Sequence, residues 1–287
     1  MPAKSVKLGM HASLWAANWD KKAAELSIPE AAEHGLDCIE VPVLVPEAID
    51  APHSRKLFEK HGIEPTGSLC LPESIMAAEH PEQAAAFLIA ALDKTKELGG
   101  TFLGGVTYGA LGYTSGKPPS AAEYANIVKA LKPAAKHART LGMTLGIEPC
   151  NRYETHLLNT AAQSMKLLEQ IGEPNVTIHF DTYHMNIEEK GIGAALRAAG
   201  RHTSYIHLSE SDRGVPGSGT VDWNDVFRAL AGIGFKGYLV MESFVTLPPE
   251  IAKALSVWRP VAKDRHEVLA KGVPFLKSLA RVHGLVG

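Results

Sequence analysis

The chain has 287 residues, 45% of them hydrophobic, and a formal net charge of −2. That length holds a large core and fits one (β/α)8 barrel as well as two smaller domains, and the near-neutral charge without a basic block argues against a nucleic-acid backbone as partner. The three cysteines (Cys38, Cys70 and Cys150) form no CxxC, the opening MPAKSVKLGMHASLW has no long apolar core, and no run approaches the roughly 18 apolar residues of a membrane span, so a cytoplasmic protein without disulfides is expected.

Short apolar runs alternate with longer amphipathic ones from end to end. Strands are predicted at 6–11, 36–43 and 65–71, followed by an Ala- and Leu-rich helix of high propensity at 82–98. A fourth strand at 102–107 leads into a loop at 109–119 and a helix at 121–141 that Gly142 stops. The fifth strand, 144–148, precedes a helix that Thr160 introduces and that ends at 171, with Gly172 and Pro174 beyond. Strands at 176–181 and 204–208 follow. A loop at 211–221 carries Gly214, Gly217 and Gly219; then come a helix at 223–233, a strand at 238–242 and a closing helix at 261–283. This alternation predicts an α/β fold of parallel β/α units, and the length favours closure into one (β/α)8 TIM barrel, a single catalytic domain over 1–287.

Four residues with metal-ligand side chains end the last four strand runs: Glu148 in LGIEP, Asp181 in VTIHFD, His207 in SYIHLSES and Glu242 in YLVMES. In a closed parallel barrel these ends converge on the face where active sites are built. Three carboxylates and an imidazole there suit a divalent cation such as Mn2+, Mg2+ or Co2+. Singly, each residue reads as a helix cap, a surface charge or a satisfied core histidine. Together they favour the metal reading, because strands disfavour Asp and Glu and a buried charge needs a partner or a metal. His11 is a further candidate. His179, two residues before Asp181, is expected one layer deeper as an interior hydrogen-bonding residue.

Other signals fail. There is no HExxH and no GxSxG, and the stretch from Gly112 to Pro118 misses the P-loop spacing and its Ser or Thr. The cysteines lack a clear histidine partner, and Cys150 reads as a small apolar filler. The acidic set points instead to carbonyl chemistry. A metal that polarises a ketose carbonyl makes the neighbouring C–H acidic enough for a carboxylate base. Two glutamates flanking the carbon give epimerisation; transfer on one face gives aldose–ketose isomerisation. The residue types permit both.

The motifs resemble those of the D-tagatose 3-epimerase / D-allulose (psicose) 3-epimerase / L-ribulose 3-epimerase family. The stretch Glu148-Pro-Cys-Asn-Arg-Tyr-Glu154 is similar to its ExxNRxE, and DTYHMNIEE from Asp181 to its DTFHMNIEE. HLSESDR from His207, with the following VPGSGTVDW, resembles HxGExxR…PGxGxxxW; MESF and VWR resemble its MEPF and VWR. The resemblance implies a metal-dependent 3-epimerase of free ketoses of the D-tagatose, D-fructose/D-allulose and L-ribulose type. It implies Glu148, Asp181, His207 and Glu242 as ligands of one divalent ion per subunit, Mn2+ foremost with Co2+ or Mg2+ as alternatives. Glu148 and Glu242 are implied as the proton-transfer pair, working through a metal-bound cis-enediolate. Glu154 is implied to bind the sugar's terminal hydroxyl end, His184 and Arg213 the carbonyl oxygen, and Trp15, Trp19 and Phe244 an apolar groove around the distal carbons. A homodimer or homotetramer is implied as well. The chain departs from the family at His11, Cys70, Leu111, Ser209 and Ser243, which bears on ketose preference. The rival readings are a sugar or hydroxy-keto-acid isomerase of the hydroxypyruvate-isomerase kind, a DNA-repair endonuclease of the same barrel superfamily, and a non-catalytic sugar-binding barrel. The charge speaks against the endonuclease and the Glu148–Glu242 pair against the last.

Overall fold

Short, largely buried runs fold into β1 (Val6–His11), β2 (Cys38–Pro42), β3 (Glu64–Cys70), β4 (Phe102–Val106), β5 (Thr144–Ile147), β6 (Val176–Asp181), β7 (Thr203–Leu208) and β8 (Gly237–Met241). All neighbours are parallel, and β8 closes on β1 with Val6 opposite Gly237 and Met10 opposite Met241. The computed structural model describes residues 5–245, 247 and 249–286. The expectation of one domain over 1–287 takes in residues 1–4, 246, 248 and 287, which lie outside the described residues.

Around the barrel run α1 (Lys21–Glu33), α2 (Ala51–His61), α3 (Pro81–Leu98), α4 (Ala121–Thr140), α5 (Ala161–Ile171), α6 (Thr182–Glu188), α7 (Ile192–Ala199), α8 (Trp223–Gly232), α9 (Pro249–Leu255), the short turn α10 (Arg265–Glu267) and α11 (Val273–Val282). Their apolar faces bury Ile28, Leu88, Leu131, Leu168 and Leu230 against the outer side of the strands. Thr160 and Gln163 close a capping box at the start of α5, and Gly172 ends that helix in the left-handed region at φ 67°. No helix among the described residues is long and apolar enough to cross a membrane.

The predicted strands lie within two residues of those observed at either end, and Glu148 and Glu242 stand one residue past theirs. The closing helix differs from expectation. Residues 261–264 are not helical, Asp264 caps α10, and Val268–Gly272 is a π-helical segment before α11. Pro274 in the first turn of α11 has no N–H to give the preceding turn, which accounts for the interruption. The helices α1 and α2 carry Pro29 and Pro52, which obscure their helical pattern in the sequence.

Inside the barrel, Phe102 stacks on Tyr205 with ring centroids 4.3 Å apart and packs with Cys38 and Val240. Glycine makes room for this layer. A Cβ on Gly104 would fall 2.6 Å from Phe102 and 2.7 Å from His179 Nδ1, and one on Gly146 would fall 2.6 Å from Phe102. Gly105, at φ 89°, turns its N–H to His179 Nδ1 at 3.1 Å. His179 is thus an interior hydrogen-bonding residue.

Substituting Gly146→Ala should overpack this layer and cost about 1–3 kcal/mol. Urea denaturation of the purified variant measures this, and a midpoint equal to the wild type's would show that the interior repacks freely.

Candidate active site

Four strand ends deliver the candidate ligands. Asp181 is the last residue of β6, and its Oδ1 accepts the Tyr183 N–H at 2.7 Å, capping α6. Glu148 follows β5, where the Tyr108 hydroxyl donates to its carbonyl at 2.9 Å. His207 lies in β7, and Glu242 follows β8. All four are buried, none more than 9% exposed. His207 Nδ1 sits among the carboxylates, 3.4 Å from Glu148 Oε1, 3.7 Å from Glu242 Oε2 and 3.8 Å from Asp181 Oδ2. It is buried and has no hydrogen-bond partner among the described residues. One ligand atom each from Glu148, Asp181 and His207 lie within 4.8 Å of one another. An unpartnered imidazole nitrogen facing converging carboxylates fits a divalent cation.

Arg213 crosses this cluster. Its guanidinium donates to Asp181 Oδ2 at 2.8 Å and to Glu242 Oε2, and lies 3.9 Å from Glu154 Oε1. It stacks over Tyr183 at 4.1 Å and Phe244 at 5.4 Å. The Arg213 backbone takes φ 65°, a left-handed conformation that a non-glycine residue seldom adopts. Its carbonyl accepts the Phe244 N–H at 2.9 Å, which ties the β7 loop to the segment after β8. Ser209 adds a hydroxyl between Asp181 and Glu242, at 3.2 and 3.4 Å.

Beside Arg213, the Asn151 backbone and side-chain N–H groups donate to His184 Nδ1 at 3.2 and 2.8 Å. The other ring nitrogen, Nε2, lies 3.2 Å from the Arg213 guanidinium, which can only donate, and 3.9 Å from Glu148 Oε1, so both nitrogens of His184 face donors. Burial, with Arg213 nearby, drops the His184 imidazole to about 3, so it is neutral. His207 behaves oppositely: burial pulls its value down, but Glu40 and Glu242 lift it well above the ordinary histidine range. Burial pushes Asp181 up to about 8, whereas Arg213 and His207 overcome burial at Glu242 and hold it well below the usual carboxylate range. The cluster therefore holds more carboxylates than it can keep charged while only a proton and Arg213 compensate them.

Each residue singled out in the sequence can now be located. Glu148, Asp181, His207 and Glu242 meet at one point, and Glu154, His184 and Arg213 join them in one network. Trp15 and Phe244 line a cavity of about 630 Å³ that opens over Glu148, His207 and Glu242. Trp19 is a correction. It stacks on Phe58 of α2 with the planes 4° apart and donates Nε1–H to Ser54 at 3.0 Å, so its ring fills the gap between the barrel and α2 rather than lining the cavity. His11, Cys70 and Leu111 do line the cavity. Sequence reading missed Glu40, buried in β2 against His207, although a lone carboxylate inside the apolar run CIEVP was the signal. It also missed Glu210, whose carboxylate accepts backbone N–H groups of Ser211, Gly217 and Val221 and so ties down the glycine-bearing loop. Ile251 and Leu255 of α9, which roof the cavity, were missed as well.

A family model described as a xylose isomerase-like TIM barrel matches residues 28–279. An L-ribulose 3-epimerase of Methylomonas sp. (strain DH-1) is 35% identical over 280 residues, 96% of this chain and 98% of that one. A ketose 3-epimerase of Arthrobacter globiformis is 34% identical over 95% of this chain and 96% of its own. Among solved structures, a D-allulose 3-epimerase from Methylomonas sp. in complex with D-allulose superposes with a TM-score of 0.91 at 34% identity, covering 96% of this chain and 98% of that one.

One titration is open to test without any metal. Burial pushes the Glu154 carboxyl up to about 7, against Arg213 and Asn151, which pull it down. A carboxyl raised by folding contributes stability fully below its ordinary value of about 4.3, and that contribution is lost as the pH rises through about 7. Denaturation of the metal-free protein at steps between those two values should show this decline, and Glu154→Gln should make it shallower, leaving the part that the raised Asp181 contributes. An identical slope in the variant would refute the assignment.

Proposed function

We propose, for a chain that belongs to the xylose isomerase-like TIM barrel family and resembles ketose 3-epimerases over nearly its whole length, that it is a metal-dependent 3-epimerase of free ketoses. The D-tagatose, D-fructose/D-allulose and L-ribulose types are the candidate substrates. The observation that carries the reading is the placement of carboxylate oxygens of both Glu148 and Glu242 beside His207 Nδ1, at 3.4 and 3.7 Å, all three residues lining the cavity.

Glu148, Asp181, His207 and Glu242 would hold one divalent ion per subunit, with Mn2+ the first choice and Co2+ or Mg2+ the alternatives. When bound, the ion supplies Lewis-acid polarisation of the ketose carbonyl. The chain's own groups do the rest. One glutamate of the pair takes the C3 proton from one face of the sugar and the other returns a proton to the opposite face, which inverts C3. The Arg213 guanidinium is a fixed donor beside the carboxylates, held against His184 Nε2 at 3.2 Å and aimed where negative charge develops on the substrate oxygen. Glu154, bonded by Asn151 at 2.8 Å, keeps one oxygen without a partner among the described residues, and that oxygen suits a sugar hydroxyl. Trp15 and Phe244 supply apolar surface to the distal carbons and keep water away from them. A cytoplasmic location is proposed from the free cysteines, and a homodimer or homotetramer from the family.

Proton NMR in D2O with Mn2+-loaded enzyme on D-fructose, D-tagatose, D-allulose and L-ribulose should give C3 epimers carrying deuterium at C3. Label at C1 or C2 instead would move the assignment to an aldose–ketose isomerase, and no exchange on any of the sugars would overturn the epimerase reading. Glu242→Gln should lower exchange by about 10²- to 10⁴-fold while some sugar binding persists. Turnover at the wild-type rate in that variant would sink the two-glutamate mechanism. Sedimentation velocity at micromolar concentration should show a dimer or tetramer; a lone monomer would refute the oligomer.

A further inference from the structure

Glu40 lies on β2, outside the candidate ligand set, and is fully buried. Its Oε2 is 2.7 Å from His207 Nε2. The Tyr205 hydroxyl donates to the same oxygen at 2.6 Å and is itself 2.8 Å from the Thr66 hydroxyl. The Tyr205 ring is held by its stack on Phe102, with the planes 15° apart. The carboxylate is thus fixed from below by two strands before it touches the imidazole. His179 stands edge-on to His207 with centroids 4.1 Å apart, so the imidazole is hemmed in on its flank as well.

The two nitrogens of His207 then have separate tasks. Nε2 is bound to Glu40, and Nδ1 has no partner among the described residues and faces three carboxylates. Which ring nitrogen ligates a metal is set by the hydrogen bond the other one makes. We propose that Glu40 is the positioning residue of the metal site: its Oε2 holds the Nε2–H of His207 and so presents the Nδ1 lone pair to the ion that Glu148, Asp181 and Glu242 would share. This rests on the metal reading above. Glu40, His179 and His207 also offer three atoms within 4.8 Å of one another, but two of those side chains already meet at 2.7 Å, the length of a hydrogen bond, and because His179 Nδ1 accepts the Gly105 N–H, the proton of a neutral His179 sits on Nε2, which then has no lone pair to give. The geometry points to a shared proton there and not to a second ion.

The test is calorimetric titration of metal-stripped wild type, Glu40→Gln and Glu40→Ala with Mn2+ alone, together with the EPR spectrum of each at saturating Mn2+ and the melting of each metal-free protein. Glu40→Ala should bind Mn2+ about 10- to 100-fold more weakly. Glu40→Gln keeps an acceptor oxygen without the charge and should lose less. Both should show an altered Mn2+ spectrum, which a loss of fold stability alone would not produce. If Glu40→Ala does not fold, Glu40→Gln decides. Variants that fold and bind Mn2+ as tightly as the wild type, with its spectrum, would overturn the role of Glu40 and leave the metal reading standing. A wild type that binds no Mn2+ would overturn both.

Discussion

Five carboxylates, those of Glu40, Glu148, Glu154, Asp181 and Glu242, are buried together at one end of a closed barrel. Burying a carboxylate is costly unless a cation or several hydrogen bonds accompany it. Arg213 touches Asp181 and Glu242 and approaches Glu154, and His207 reaches Glu40 and faces Glu148, Asp181 and Glu242. This compensation is incomplete: burial pushes Asp181 and Glu154 up to about 8 and about 7. A site in this state is poised for a divalent cation, because an ion supplies the missing positive charge and takes the place of a proton on His207. Several features of the surrounding structure follow from holding that cluster in place, among them the left-handed turn at Arg213 and the carboxylate clamp of Glu210 on the next loop.

The layer below explains why the cluster can be rigid. Barrel interiors are filled by side chains from successive strands. Here the filling is partly polar, in a connected column from Thr66 through Tyr205 and Glu40 to His207. Phe102 and His179 brace it sideways, and both fit only because β4 and β5 place glycines at Gly104 and Gly146. A hydrogen-bonded polar column of this kind fixes rotamers more tightly than an apolar one, since Tyr205, Glu40 Oε2 and His207 Nε2 each lose a partner if they turn. The column ends at the nitrogen that faces the carboxylates.

The parts that were legible in the sequence are those governed by local patterns. The β1 and β6 boundaries matched residue for residue, and Thr160 with Gly172 bracketed α5, because strand runs and caps are written in adjacent residues. Glu148, Asp181, His207 and Glu242 stood out because each interrupts an apolar run at its end. Glu40 interrupts one too, but in its middle, and only the closure of β2 across from β7 brings it to His207. Trp19 failed for the converse reason. An aromatic near a barrel mouth can face the cavity or the helices, and nothing local in the sequence distinguishes the two; Ser54 and Phe58 on α2 decide it. The break before α11 depends on the one backbone N–H that Pro274 lacks, which a periodicity of apolar residues does not register.

On the proposed reading, reaction class and sugar preference would be set by different parts of the molecule. The carboxylates, His184 and Arg213 are tied to strand ends and to one another, so their positions follow from the barrel itself. The cavity above them is walled by residues of other origin: Leu111 from the loop after β4, Trp15 from the segment after β1, and Ile251 and Leu255 from α9. These walls are apolar and make few directional contacts, so they would discriminate between sugars through shape and excluded volume. One methylene in such a wall is worth about 1–3 kcal/mol in selectivity, whereas leaving a buried polar group unpaired costs more steeply. On the proposed reading, sharper discrimination would fall to the polar side chains that line the cavity beside the carboxylates, among them Ser13, His11 and Ser68, the last two 3.5 Å apart. A ketose whose hydroxyls reached those groups would gain contacts that the apolar walls cannot offer, and one that left them unmet would forfeit them.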